Sequence, residues 1–177
     1  MKQAVLLLAY GAPERIEEVE QFLAGLRAGR PLASHQVEEI QQRYAALGGR
    51  PPLTARTRQQ AEALERELAG AGPAVPVHFG MRNWRPSIQD AMARLRVQGA
   101  ERIVAICLAP QYSKFSVGVY FRRVQEARVA LGTGVEVVWT KSFHDHPMLI
   151  EAFYEKLAPL AAGRTVLFTA HSLPERA

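Results

Sequence analysis

His171 stands in the stretch TVLFTAHSLPERA, delivered by an apolar run and followed by Ser172. A neutral imidazole at such a place accepts a proton near neutral pH or binds a transition metal. Tyr10 closes the run QAVLLLAY, where a phenol serves as a ligand, a stacking surface or a cap on the core. Arg43 and Tyr44 precede the loop GGRPP, whose glycines permit positive φ and whose prolines stiffen the exit. GMRNWRPS offers Arg82 and Trp84, and LAPQYSKFSVGVY offers Tyr112, Ser113, Lys114, Ser116 and Tyr120. Aromatic faces with basic tips suit a flat, anionic, aromatic ligand: rings stack on the plane and guanidinium groups hold carboxylates. Nucleic acid draws on the same inventory but needs a denser basic groove.

Two stretches mimic other chemistry. FHDHP carries His144 and His146, yet no third ligand lies at a matching spacing. Asp145 and Pro147 fit better as the cap and first-turn residue of a helix. AYGAPE places Gly11 after an apolar run, but it has neither dinucleotide nor Walker spacing, and an acid-rich first turn repels phosphate.

The elements that must position these residues follow from periodicity. QAVLLLAY, VPVHFGM, ERIVAICLAP, VEVVWTKSF and RTVLFTAH are short apolar runs bounded by Gly and Pro, and predict five strands. Helical spacing predicts helices in ERIEEVEQFLAGLRAG, over about 35–47 and 54–69, from Pro86 to about 97, in SVGVYFRRVQEARVAL and in HPMLIEAFYEKLAPLA. Alternation of strand and helix predicts an α/β fold, a parallel sheet flanked by helices in the Rossmann-like manner. In such folds ligands gather at the carboxyl ends of the strands. Apart from Arg43 and Tyr44, at a helix end, the residues singled out above follow the strands.

With 177 residues and a formal net charge of +5, the chain suits one α/β domain, 1–177, with a mildly cationic surface. The lone cysteine, Cys107, cannot form an internal disulfide and reads as a small core residue in a reducing compartment. No signal peptide or membrane-length apolar run is visible, so the expected location is the cytoplasm.

Taken together and in order, LLLAYGAP, RYAALGGRPPL, GMRNWRPSIQDA, LAPQYSKFSVGVY and TAHSLPE resemble the ferrochelatases, which insert ferrous iron into a porphyrin. The AYG form is similar to the branch of Gram-positive bacteria that uses coproporphyrin III. The resemblance implies a chelatase-type α/β half, a lyase of haem biosynthesis, Fe(II) as the substrate metal and no organic cofactor. It implies that His171 is the metal-binding, catalytic residue and that Tyr10 faces the porphyrin metal axially. It further implies that Arg27, Arg43, Tyr44 and Tyr120, with Tyr10, contact the macrocycle or its carboxylates.

Two departures stand out. Pro51-Pro52 replaces the family's Ser-Pro, which removes a hydroxyl contact. Family members are nearly twice as long, and their second half supplies a glutamate opposite the histidine. The expectation is therefore an N-terminal half that self-associates through the face its second half would cover and is nearly inactive alone. Protoporphyrin IX is the alternative porphyrin. A small homodimeric cobalt or nickel chelatase is the rival enzyme, and a tetrapyrrole- or metal-binding module without turnover is the rival from another class.

Overall fold

The computed structural model describes residues 1–27, 29–46 and 48–170; Ser172 and His171 lie outside them. Four parallel strands form one sheet in the order β2-β1-β3-β4: β1 (Gln3–Ala9), β2 (Val77–Met81), β3 (Arg102–Cys107) and β4 (Glu136–Thr140). Between β1 and β2 run a 3-10 turn (Ile16–Glu18), α1 (Val19–Leu26), α2 (Ser34–Ala46) and α3 (Leu53–Ala71). α4 (Ile88–Val97), α5 (Val117–Ala130) and α6 (Pro147–Ala161) follow β2, β3 and β4.

The apolar character of β1 at every position from Ala4 to Ala9 has a direct cause: it is a central strand, paired with β2 and β3. Ala4, Leu6 and Leu8 face one way, into a core with Met92, Leu95, Ile103, Val117 and Val124 from β3, α4 and α5. Val5 and Leu7 face the other way, onto Ala61, Leu64 and Leu68 of α3. Gly80 is a packing necessity, because a Cβ there would lie 2.8 Å from the Cα of Ile88. Ser87 caps α4: its Oγ accepts from the Asp90 N–H at 3.1 Å, while Asp90 Oδ2 accepts from the Ser87 N–H at 3.0 Å. The helix expected from Pro86 therefore begins at Ile88. Pro86 itself lies in the connection, where its carbonyl oxygen accepts from Met81 N–H.

Two expectations are corrected. Over its described residues the run RTVLFTAH does not extend the sheet; residues 165–170 carry no strand, and Leu167 and Phe168 are exposed. An apolar run becomes a strand only against a sheet edge. α6, which precedes it, has no buried residue and does not bring it to one. The cap of α6 is His146, whose Nδ1 accepts from Met148 N–H at 3.3 Å, and not Asp145. Pro147 occupies the first helical turn as expected.

Candidate functional site

The strand ends are laced together by backbone hydrogen bonds. Arg82 N–H donates to Ala9 O and Asn83 N–H to Tyr10 O, each at 2.9 Å, and Leu108 N–H donates to Leu8 O at 2.9 Å. The loops after β1, β2 and β3 are thus held in fixed register. Gly11, at φ +91°, allows the closest approach: a Cβ added there would sit 2.8 Å from Trp84 Cβ. Trp84 in turn meets Phe22 of α1 edge-to-face, with ring centroids 5.7 Å apart.

On this base two tyrosines and an arginine converge. The Arg82 guanidinium carbon lies 5.8 Å from the ring centroid of Tyr10 and 5.6 Å from that of Tyr120. Tyr10 is 47% exposed and faces the open edge, whereas Tyr120, in the first turns of α5, is 4% exposed. Burial pushes the Tyr120 phenol far above its ordinary value, so it stays a neutral hydroxyl. Tyr44 of α2 is also raised, first by burial and then by the charge Tyr10 would carry. Cys107 at the end of β3 is a buried free thiol, raised by burial and only partly relieved by the Ala109 backbone hydrogen bond and by Arg82. It is the core residue that its apolar run indicated.

The third strand's loop completes this edge. Ser113 is buried; its Oγ accepts from Ser116 N–H at 3.0 Å and its carbonyl from Gly118 N–H at 3.0 Å, which fixes the start of α5. Tyr112 is half exposed and leads a row of rings, 6.5 Å from Phe121, which lies 4.3 Å from Trp139. An open hollow of about 700 Å³ is lined by Glu14, Arg15, Arg50, Pro51 and Pro52. The GGRPP loop thus forms one side of that hollow, with Gly48 and Gly49 both at positive φ.

Not every expected residue joins the cluster. Arg43 turns to Glu39 one helical turn back, in an exposed ion pair. Arg27 ends α1, exposed, and its side chain makes no described hydrogen bond or ion pair. His171, the expected metal ligand, is outside the described residues. His144 and His146 serve locally. Ser142 Oγ donates to Pro110 O at 2.9 Å, so His144 Nδ1 donates to Ser142 Oγ at 2.7 Å, and His146 caps α6. Among the described residues no group of three or more His, Cys, Asp and Glu side chains is placed to hold a metal.

Arg82 is the residue whose role sequence reasoning missed. It stood among the mouth residues, but its place between two tyrosines has no spacing signature. One signal was present: no acid lies between Phe79 and Gln89 to pair with it.

The chain is similar to known proteins over nearly its whole length. The ferrochelatase family model matches residues 2–177. A ferrochelatase of Herpetosiphon aurantiacus is 39% identical over 99% of this chain and 60% of its own length. A coproporphyrin III ferrochelatase of Mycobacteroides abscessus is 32% identical over 97% of this chain and 52% of its own. The chain thus spans little more than half the length of these relatives. A solved structure, the cobalt complex of the sirohydrochlorin chelatase SirB from Bacillus subtilis subspecies spizizenii, superposes with a TM-score of 0.53. It does so at 14% identity, over 91% of this chain and 52% of that one. At that identity it supports the α/β fold alone.

Proposed function

This chain belongs to the ferrochelatase family, and from that premise we propose that its strand-end edge is one wall of a site that inserts Fe(II) into coproporphyrin III. The observation that carries the proposal is the convergence of Tyr10, Arg82 and Tyr120 on one edge of the sheet. Family membership makes a metal ion a substrate; Fe(II), and chemistry without an organic cofactor, are the finer proposal.

Metallation must remove two pyrrole N–H protons and present a partly desolvated cation. His171 is proposed for both tasks, because imidazole accepts protons and binds Fe(II). Tyr10 is proposed as the axial phenol on the porphyrin metal. Tyr44 and Tyr120 supply aromatic wall, and Arg27 and Arg43 hold the carboxylates of a four-carboxylate substrate. Arg43 gives up little to do so, since an exposed pair such as that with Glu39 contributes about 0.3–0.5 kcal/mol. The opposite wall, with its carboxylate, is proposed to come from a second α/β half, and 1–177 to be the N-terminal one. No helix among the described residues is long and apolar enough to cross a membrane. A cytoplasmic site is proposed, which suits the free thiol of Cys107.

Anaerobic addition of Fe(II) and coproporphyrin III, followed by free-base fluorescence, tests the proposal. Insertion is expected when the chain is mixed with the second half of a relative, and little without it. Binding without metallation in the mixture would support a carrier module instead. Metallation by Co(II) but not Fe(II) would support a cobalt chelatase.

A further inference from the structure

Arg82 is half-buried and belongs to none of the ion pairs among the described residues. A guanidinium so placed has lost part of its hydration, and what stands in its place is aromatic: the rings of Tyr10 and Tyr120, at 5.8 and 5.6 Å. The support is stiff on every side. The backbone of Arg82 is bonded to Ala9, that of Asn83 to Tyr10, and Gly11 is closed against Trp84. Tyr120 is buried in the core face of α5 and has little room to move. Tyr10, by contrast, is nearly half exposed and stands on a strand end. Left alone, its ring has several rotamers open to it.

We infer that Arg82 is a positioning residue: braced against the immobile Tyr120, it clamps the ring of Tyr10 in the orientation that meets a porphyrin-bound iron. The inference rests on the assignment of Tyr10 as the axial residue. It differs from a direct role for Arg82 in gripping a porphyrin carboxylate, which would appear in affinity and not in the iron–phenol bond.

The test adds ferric coproporphyrin III to the 177-residue wild type and to Tyr10→Phe, Arg82→Gln and Arg82→Lys, and reads the phenolate-to-iron absorption band at saturating porphyrin. The wild type is expected to show the band and Tyr10→Phe to lack it. Arg82→Gln is expected to lose at least about half of the band while porphyrin affinity changes less than about threefold, because a cation–π clamp, not a charge pair with the ligand, has gone. Arg82→Lys, which keeps the cation without the planar fork, is expected to be intermediate. A full band in Arg82→Gln overturns the clamp. So does an affinity loss of about tenfold for the tetracarboxylate porphyrin that vanishes for its tetraester, which would make Arg82 a carboxylate anchor. If Arg82→Gln does not fold, Arg82→Lys decides: an intermediate band supports the clamp and an unchanged one overturns it. A band absent from the wild type, or present in Tyr10→Phe, overturns the axial assignment itself and the clamp with it, without reference to any Arg82 variant.

Discussion

Gly11 and Trp84 are in the closest contact their backbones permit: a methyl group on Gly11 would lie 2.8 Å from Trp84 Cβ and 2.9 Å from its backbone nitrogen. The contact ties the loop after β1 to the loop after β2, one residue from Tyr10 and two from Arg82. Gly11→Ala adds both a clash and a side chain at φ +91°. The expected cost is about 2 kcal/mol or more, read from the urea midpoint, with porphyrin binding weakened in the fraction that stays folded. A variant as stable as the wild type would show that the loops part without penalty.

The cap of α4 gives a prediction with a pH sign. Hydrogen bonds from the Ser87 hydroxyl and N–H, at 2.7 and 3.0 Å, hold the Asp90 carboxyl below the usual carboxylate range. A depressed folded-state value contributes stability above the unfolded value of roughly 4, and that stability is lost as pH falls through the lower, folded value. Ser87→Ala is expected to cost about 1 kcal/mol at neutral pH. The gap from wild type should narrow in acid. Urea melts at pH 7 and pH 3 check this, and a gap that widened in acid would contradict it.

Sequence periodicity was enough for four strands and their helices, because β1, buried on both faces, has to be apolar throughout, and Gly and Pro mark the exits. It misjudged the run over 165–170. Composition alone does not say whether a sheet edge is near, and α6 does not carry this run to one. At the candidate site, Tyr10 and Tyr120 were named from their places after strands and Tyr44 from its helix end, while the porphyrin contacts assigned to them came from the family resemblance alone. Arg43 had a readable competitor in Glu39, four residues back on the same helix face. The clamp of Arg82 was not legible, since it joins the loop after β2 to residues from β1 and α5 that only the folded sheet brings together.

α6 exposes Met148, Ile150, Phe153, Tyr154 and Leu160, and has no buried residue. An apolar face of this kind promotes association. The chain is expected to sediment as oligomers, and Phe153→Glu with Leu160→Glu to shift it toward monomer. A wild-type chain that stays monomeric at high concentration would contradict this.

His171→Ala is expected to abolish Fe(II) insertion in the two-half mixture while leaving coproporphyrin III affinity within about threefold, since it removes the proton acceptor and metal ligand and not the wall. Insertion at the normal rate would remove His171 from the chemistry.

Hydrogen–deuterium exchange with and without coproporphyrin III tests the central claim most directly, because it reports where on the chain the porphyrin sits. Protection is expected over 9–13, 81–86 and 109–120, the three segments that carry Tyr10, Arg82 and Tyr120. Protection instead at the opposite ends of the strands, over 73–76 and 99–102, or in the hollow between α3 and α4 lined by Arg58, His78 and Arg94, would place the ligand elsewhere and contradict the account.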